Sequence, residues 1–293
     1  MISWKTDRRY FNPAYWSSIV AIASFLVLFV TGIALAAWYY PAPSLAYDSI
    51  IFIQKNVYFG ELLLSLHHWA THLLIISIIA HMIRVYFSKG KFEEIWRFGF
   101  FLLVISILFI YTGYLLRWDD VGYWSIEVTS SIFRYIPKVG QFIQFIILGG
   151  KKISQITLLR FYFAHISLLP LLSVSFLAYH YYKIGKKKIS WAEIGVSMIT
   201  IGFLLCISVI YPFSLTHKVS LQLNFKLKPF WLFLWLYAIE RGIGKINPKL
   251  NFIVPLSLFL ALLFTYYLPK IEKKYGIVIF LILIILSIIG LYE

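Results

Sequence analysis

Four histidines stand at matched spacings inside two long apolar runs: His67 and His81 in one, His165 and His180 in the other. Neutral imidazole is the commonest metal ligand, and an ionisable side chain at membrane depth marks function by default. The spacings are 14 and 15 residues. On a helix, these place the members of each pair about 21–22 Å apart along the axis. Four turns bring a side chain back close to its starting face, above all in helices supercoiled at about 3.5 residues per turn. Two antiparallel helices so equipped offer two His–His pairs at two depths of a bundle core, where cofactors sit. A planar macrocycle with two axial imidazoles fits each pair, and bis-His haem suits one-electron transfer. The antiparallel arrangement pairs His67 with His165 and His81 with His180.

A single intramembrane histidine reads equally well as a satisfied core hydrogen bond or a proton relay; four at these spacings read as two haems b. Small residues agree. Gly99 and Gly113 are also 14 apart, as are Ser18 and Gly32. A porphyrin edge needs close backbone approach, which glycine permits, although helix packing in lipid favours small residues as well. His68 and His72 share a run with His67 but are rotated from it by about 100° and about 140°. They read as facing a pocket or an interface, while spacing alone leaves His68 able to exchange roles with His67. His217 stands alone in a loop.

The elements that hold these residues follow from composition. Of 293 residues, 61% are hydrophobic and 13% charged, and the mean hydropathy is +0.81. Soluble domains are about 45–50% apolar and about 25% charged. Apolar runs long enough to cross a bilayer core of about 30 Å follow one another, and unbroken runs imply helices rather than a barrel. The chain is read as an all-α integral membrane protein. Seven spans are expected, at about 16–40, 59–87, 97–117, 157–184, 191–213, 249–269 and 275–292. A four-helix haem-binding bundle (1–188) is followed by three further helices (189–293). The segments 119–154 and 214–248 read as surface structure between spans.

A net charge of +15 suggests nucleic acid, but the Lys and Arg fall in short segments between apolar runs, where orientation signals and lipid headgroups place them. No nucleic-acid partner is expected. Lys5, Arg8 and Arg9, the loop around Lys89–Arg97, the run Lys183–Lys188 and the segment Lys270–Lys274 share one side. That makes the chain a multi-pass plasma-membrane protein with a cytoplasmic N-terminus. Lys218, Lys226, Lys228, Arg241, Lys245 and Lys249 crowd the opposite side, where acidic partners or lipid heads would meet them. The one cysteine, Cys206, lies in an apolar run, which leaves no disulfide framework and no Cys-based metal site. The N-terminus does not read as a cleaved signal peptide.

From Asn12 to about Lys188 the chain resembles the cytochrome b of bc- and bf-type quinol-oxidising complexes, most of all the short bf-type form. The strings that carry this are LLLSLHHWATHLLIISIIAHMIRVYF, YTGYLLRWDDVGYWS and TLLRFYFAHISLLPLLSVSFLAYH. The 15-residue spacing is that of the bf branch. The remainder resembles the three-helix small subunit of the bf complex, here fused. The resemblance implies His67 rather than His68 as ligand, because it aligns the His before a basic residue and Trp69. It implies that Arg84 and Arg160 contact haem propionates or the adjacent pockets, and a carboxylate suits the Arg fork; plain interfacial snorkelling is the alternative. The shared 14-residue spacing, independently of the resemblance, favours haem-adjacent roles for Gly32, Gly99 and Gly113. Quinone or quinol is the implied substrate. The implied partners are a Rieske iron–sulfur protein, a c-type cytochrome (multihaem among the possibilities), lipid and a second copy in a homodimer. Segment Trp118–Trp124 resembles the start of the surface helices lining the outer quinol site and the Rieske docking crater.

Two departures stand out. Where the photosynthetic branch attaches an extra c-type haem through cysteine there is Trp16, so no covalent third haem is expected. Where the family has Pro-Glu-Trp-Tyr, with a glutamate that accepts a quinol proton, this chain has Pro229-Phe230-Trp231-Leu232. Glu240, Asp119 and Asp120 are the nearby carboxylates, and no catalytic residue is assigned. Two redox functions remain from the sequence: the membrane subunit of a quinol:electron-acceptor oxidoreductase, or a transmembrane conduit to a multihaem cytochrome without outer-site bifurcation. A haem-free structural subunit is a third.

Overall fold

The computed structural model describes residues 15–88, 93–185, 189–219 and 228–292. Lys5, Arg8, Arg9, Lys89, residues 186–188, Lys226 and the side chain of Lys249 lie outside what is described. Among the described residues seven helices are long and apolar enough to cross a membrane: Trp16–Ala36, Gly60–Phe87, Glu93–Leu116, Gln155–Ile184, Trp191–Ile210, Leu250–Lys270 and Lys273–Tyr292. The all-helical membrane architecture read from the sequence is the one observed. Span one is shorter than expected: it ends at Ala36, and Pro41 and Pro43 then break the chain before a short amphipathic helix, α2 (Ala46–Asn56).

The chain forms two compact units. One comprises Met1–Tyr40, Ser44–Ile110 and Phe163–Leu215; the other comprises Pro41–Pro43, Tyr111–Tyr162 and Thr216–Glu293. They alternate along the sequence.

In the first unit α1 (Trp16–Ala36) packs on α3 (Gly60–Phe87) and on α9 (Trp191–Ile210), and α3 also packs on α2 and α9. Without a hydrophobic driving force between helices in lipid, close packing relies on small residues. Ala23, Ser24, Ser65, Ala70 and Ser208 are accordingly buried. A capping box opens α9: Ser190 accepts from the Glu193 N–H, and the Glu193 carboxylate accepts from the Ser190 N–H. This satisfies donors that a helix start leaves orphaned.

The second unit contains the end of α4 (Glu93–Leu116), the surface helices α5 (Asp120–Arg134) and α6 (Gly140–Leu148), and α7 (Gln155–Phe163) but for its last residue. It also holds α10 (Leu234–Ile246), α11 (Ile253–Tyr267) and α12 (Lys273–Tyr292). α5 packs on α6, and α10 on α11 and α12. Gly290 allows the last contact: a Cβ there would lie 2.1 Å from the Leu234 carbonyl oxygen.

Candidate haem-binding site

The fourth span is α7, a π-helical turn over Ala164–Leu168, and α8 (Leu169–Ile184). In the turn the Leu169 N–H bonds the Ala164 carbonyl, five residues back, and Pro170 follows at the start of α8. Proline has no N–H to continue the i→i−4 ladder, so the register changes there. The consequence is chemical. On a regular helix 15 residues overshoot four full turns by about 60°, whereas 14 fall short by about 40°. One residue absorbed in a π-bulge gives His165 and His180 the effective spacing of His67 and His81, and such bulges gather at functional sites. The sequence signal was available in the mismatch of 14 and 15 together with Pro170.

His67 and His165 face each other in the first unit, ring centres 6.3 Å apart and planes at 58°. A metal–imidazole nitrogen bond is about 2 Å and the ring centre lies about 1 Å behind that nitrogen, so two imidazoles trans on one metal have centres about 6 Å apart. The pair fits an iron held from both faces. Thr31 orients the first ligand. Its buried hydroxyl donates to the Val27 carbonyl at 2.7 Å and lies 3.0 Å from His67 Nδ1. With its proton so committed, the hydroxyl accepts from Nδ1–H, which leaves the Nε2 lone pair for a metal. The His165 ring meets Phe109 edge-on at 5.3 Å.

His81 on α3 and His180 on α8 lie in the same unit. Arg84 lies beside them: one guanidinium nitrogen is 3.3 Å from His81 Nδ1, and its plane lies over the Tyr15 ring at 4.6 Å. Among the described residues its Nε is buried without a hydrogen-bond partner. Guanidinium can only donate, so this Arg has donors to spare for an acceptor such as a carboxylate.

The glycines sit beside the ligands. A Cβ built at Gly32 would lie 3.4 Å from His67 Cε1, and one at Gly99 would lie 3.5 Å from His180 Cε1. Gly113 lies on α4, in the second unit. Arg160 is an exposed residue of that unit whose guanidinium passes over Gly149. His68 and His72 point elsewhere, at each other and at Phe213. Thr31 and the π-helical turn are the two features of the site that the sequence reading had missed.

The second unit contains the segment expected at the quinol site. Phe230 is buried, edge-on to Tyr114 at 5.9 Å and beside Trp231 at 5.3 Å. Arg117 lies over Tyr114 and pairs with Asp119 at 2.5 Å. Asp119, fully buried, caps α5 by accepting from the Gly122 N–H, and also accepts from the backbone and hydroxyl of Thr216. The Asp120 N–H bonds the His217 carbonyl. Glu240 is half-buried on α10; burial raises its carboxyl above the usual range, and Arg241 opposes the shift.

Residues 10–188 match the family model described as Cytochrome b/b6/petB. The chain belongs to the cytochrome b family. It is 37% identical over 182 residues to the cytochrome b6 of Desmonostoc sp. (strain PCC 7906), a match covering 61% of this chain and 85% of that one. It is 38% identical over the same length and coverage to the cytochrome b6 of Mastigocladus laminosus. A solved structure described as "Hyperthermophilic respiratory Complex III" shares the fold over 99% of this chain and 85% of its own, with a TM-score of 0.81 at 21% identity. The fold shared with that structure thus includes the three C-terminal spans, beyond the stretch shared with the b6 relatives. As a cytochrome b of the bc/bf type, the chain is a multi-pass, haem b-binding membrane protein of electron transport with an oxidoreductase role.

Proposed function

We propose that this cytochrome b is the di-haem subunit of a bc/bf-like complex, passing electrons between quinol or quinone and an extracytoplasmic redox partner. His67 and His165 hold one haem b; His81 and His180 hold the other. Bound there, haem b supplies one-electron chemistry. The observation that carries the reading is the 6.3 Å separation of the His67 and His165 ring centres. The chain's own work is to fix imidazole orientation through Thr31 and to bring the fourth span into register through its π-helical turn. Arg84 and Arg160 provide fork-like donors for propionates. When His81 ligates through Nε2, its Nδ1 carries the proton, and Arg84 must turn to another acceptor; a carboxylate is the one its geometry suits.

Membership of the cytochrome b family supports a larger complex with a Rieske iron–sulfur protein or a c-type cytochrome as partner; a homodimeric assembly rests on the family resemblance alone. The distribution of Lys and Arg supports a plasma-membrane location with the N-terminus in the cytoplasm. We keep residue 188 as the boundary between the haem bundle and the region resembling the bf small subunit. Purified protein should contain two haems b per chain and give a b-type reduced-minus-oxidised spectrum. A stoichiometry of one, or no b-type band, overturns the assignment.

Phe230 favours a second reading, a transmembrane conduit without outer-site bifurcation. The phenyl ring stands where the family glutamate accepts a proton, and it is packed in aromatic surroundings. Asp119 does not replace that glutamate: its oxygens are engaged by four donors and shielded from solvent. Quinol-driven reduction that ignores an outer-site inhibitor, with no oxidant-induced extra haem reduction, supports the conduit. Inhibitor sensitivity supports bifurcation and directs attention to Asp120 or Glu240.

A further inference from the structure

One pair of histidines takes no part in the haem sites. His68 and His72 are one turn apart on α3, about 40° from each other around the axis, so they share a face distinct from that of His67. Their ring centres are 4.8 Å apart and their planes cross at 66°. Phe213 covers His68 at a centroid distance of 5.0 Å, and Trp69 lies 5.5 Å from His72. This cover is pinned to α3 at two points. The Trp69 indole N–H bonds the Tyr211 carbonyl at 2.8 Å, and the Phe213 N–H bonds Ser65 Oγ at 2.9 Å.

The same ruler that fits His67 and His165 to a trans pair applies here. With each ring centre about 3 Å from a shared metal, an angle of about 90–110° at that metal puts the centres about 4.5–5 Å apart. The observed 4.8 Å falls in that window, and the partly buried rings sit on a helix that fixes their backbones. We propose that His68 and His72 form a two-imidazole chelate for a divalent transition-metal ion of the class that prefers imidazole nitrogen: Zn2+, Cu2+ or Ni2+. Among the described residues no group of three or more His, Cys, Asp and Glu gathers around such an ion, so water completes its coordination. The site is separate from the haem iron positions and does not depend on them: His67 and His72 are five residues apart and face different ways.

The test uses the detergent-purified, haem-loaded chain, freed of loose metal on a chelating resin and titrated with Cu2+ alone or Zn2+ alone. One Cu2+ per chain is expected, with electron paramagnetic resonance showing coupling to two imidazole nitrogens. H68A and H72A should each weaken retention at least tenfold while the b-type absorbance and haem-to-chain ratio stay unchanged. H217A should leave retention unaltered. Absence of two-nitrogen coupling in the unaltered chain overturns the chelate without recourse to any variant. Undiminished binding in H72A of normal haem content overturns it as well.

Discussion

The haem-ligand region of the first unit and the Phe230 region of the second have met opposite fates in the same family frame. In the first, every residue type that axial ligation requires is present, and neighbouring helices hold it in orientation. In the second, the resemblance sets Phe230 where the family has an ionisable glutamate. Asp119 caps α5 and collects donors from Arg117, Gly122 and Thr216, while Phe230, which the resemblance sets against the family's glutamate, meets Tyr114 edge-on. The difference teaches that architecture and proton chemistry can separate. A buried carboxylate whose oxygens are engaged by four donors acts as a fastener of the backbone around it.

The largest effect should come from breaking a ligand pair. His81→Ala and His180→Ala should each remove the same one of two haems, halving the haem content and deleting the same component of the redox titration. If the two variants lose different haems, the pairing is wrong. On the other side of the comparison, Asp119→Ala should act on stability rather than on haem. It removes an N-cap and leaves Arg117 without its buried counter-ion. Loss of one partner of a buried pair costs about 3–5 kcal/mol, to be read as a lowered unfolding temperature with haem spectra intact below it. Trp118 gives a reason for so strong a fastener. Its backbone is left-handed, φ 48°, and for a bulky L-residue that conformation costs about 1–2 kcal/mol. Retention of the native unfolding temperature in Asp119→Ala would show that the loop is held some other way.

A smaller effect is expected from Thr31→Val, which keeps the shape and deletes the acceptor for His67 Nδ1–H. Outer-sphere partners of metal-bound histidine are worth about 10–100-fold in affinity. Haem retention at the His67/His165 pair should therefore fall, and the potential of that haem alone should shift. An equal shift at both haems would mean a global change rather than a lost hydrogen bond.

Much of this was legible before any coordinates. Apolar runs of the right length fixed seven spans within a few residues, because in lipid the backbone has no alternative to the helix. Intramembrane histidines announce themselves because burying them is costly without a purpose. Three features were not legible. α2 carries Asp48 and Lys55 and lacks the length of a span, so no long apolar run marks it. Thr31 is one small polar residue among many, and only its distance to His67 gives it a role. The engagement of Asp119 by Thr216 joins residues 97 apart in sequence, which no local pattern reveals.

Pro170 carries the smallest expected effect and tests the subtlest point, that the fourth span needs its extra residue absorbed. Without an N–H at Pro170, the helix can pass from i→i−5 bonding at Leu169 into regular α8. Pro170→Ala restores the donor and lets an unbroken i→i−4 ladder compete. An unbroken ladder would rotate His165 by about 100° relative to His180, out of line with His67. Opposing this, Phe109 packs edge-on against the His165 ring, so the π-helical turn should be weakened rather than erased. The outcome is a several-fold loss of haem retention at His165, seen in stepwise denaturant extraction, with the His81/His180 haem unchanged. Should both haems be retained as in the parent chain, the register would be set by the packing around His165, and Pro170 would only accommodate it.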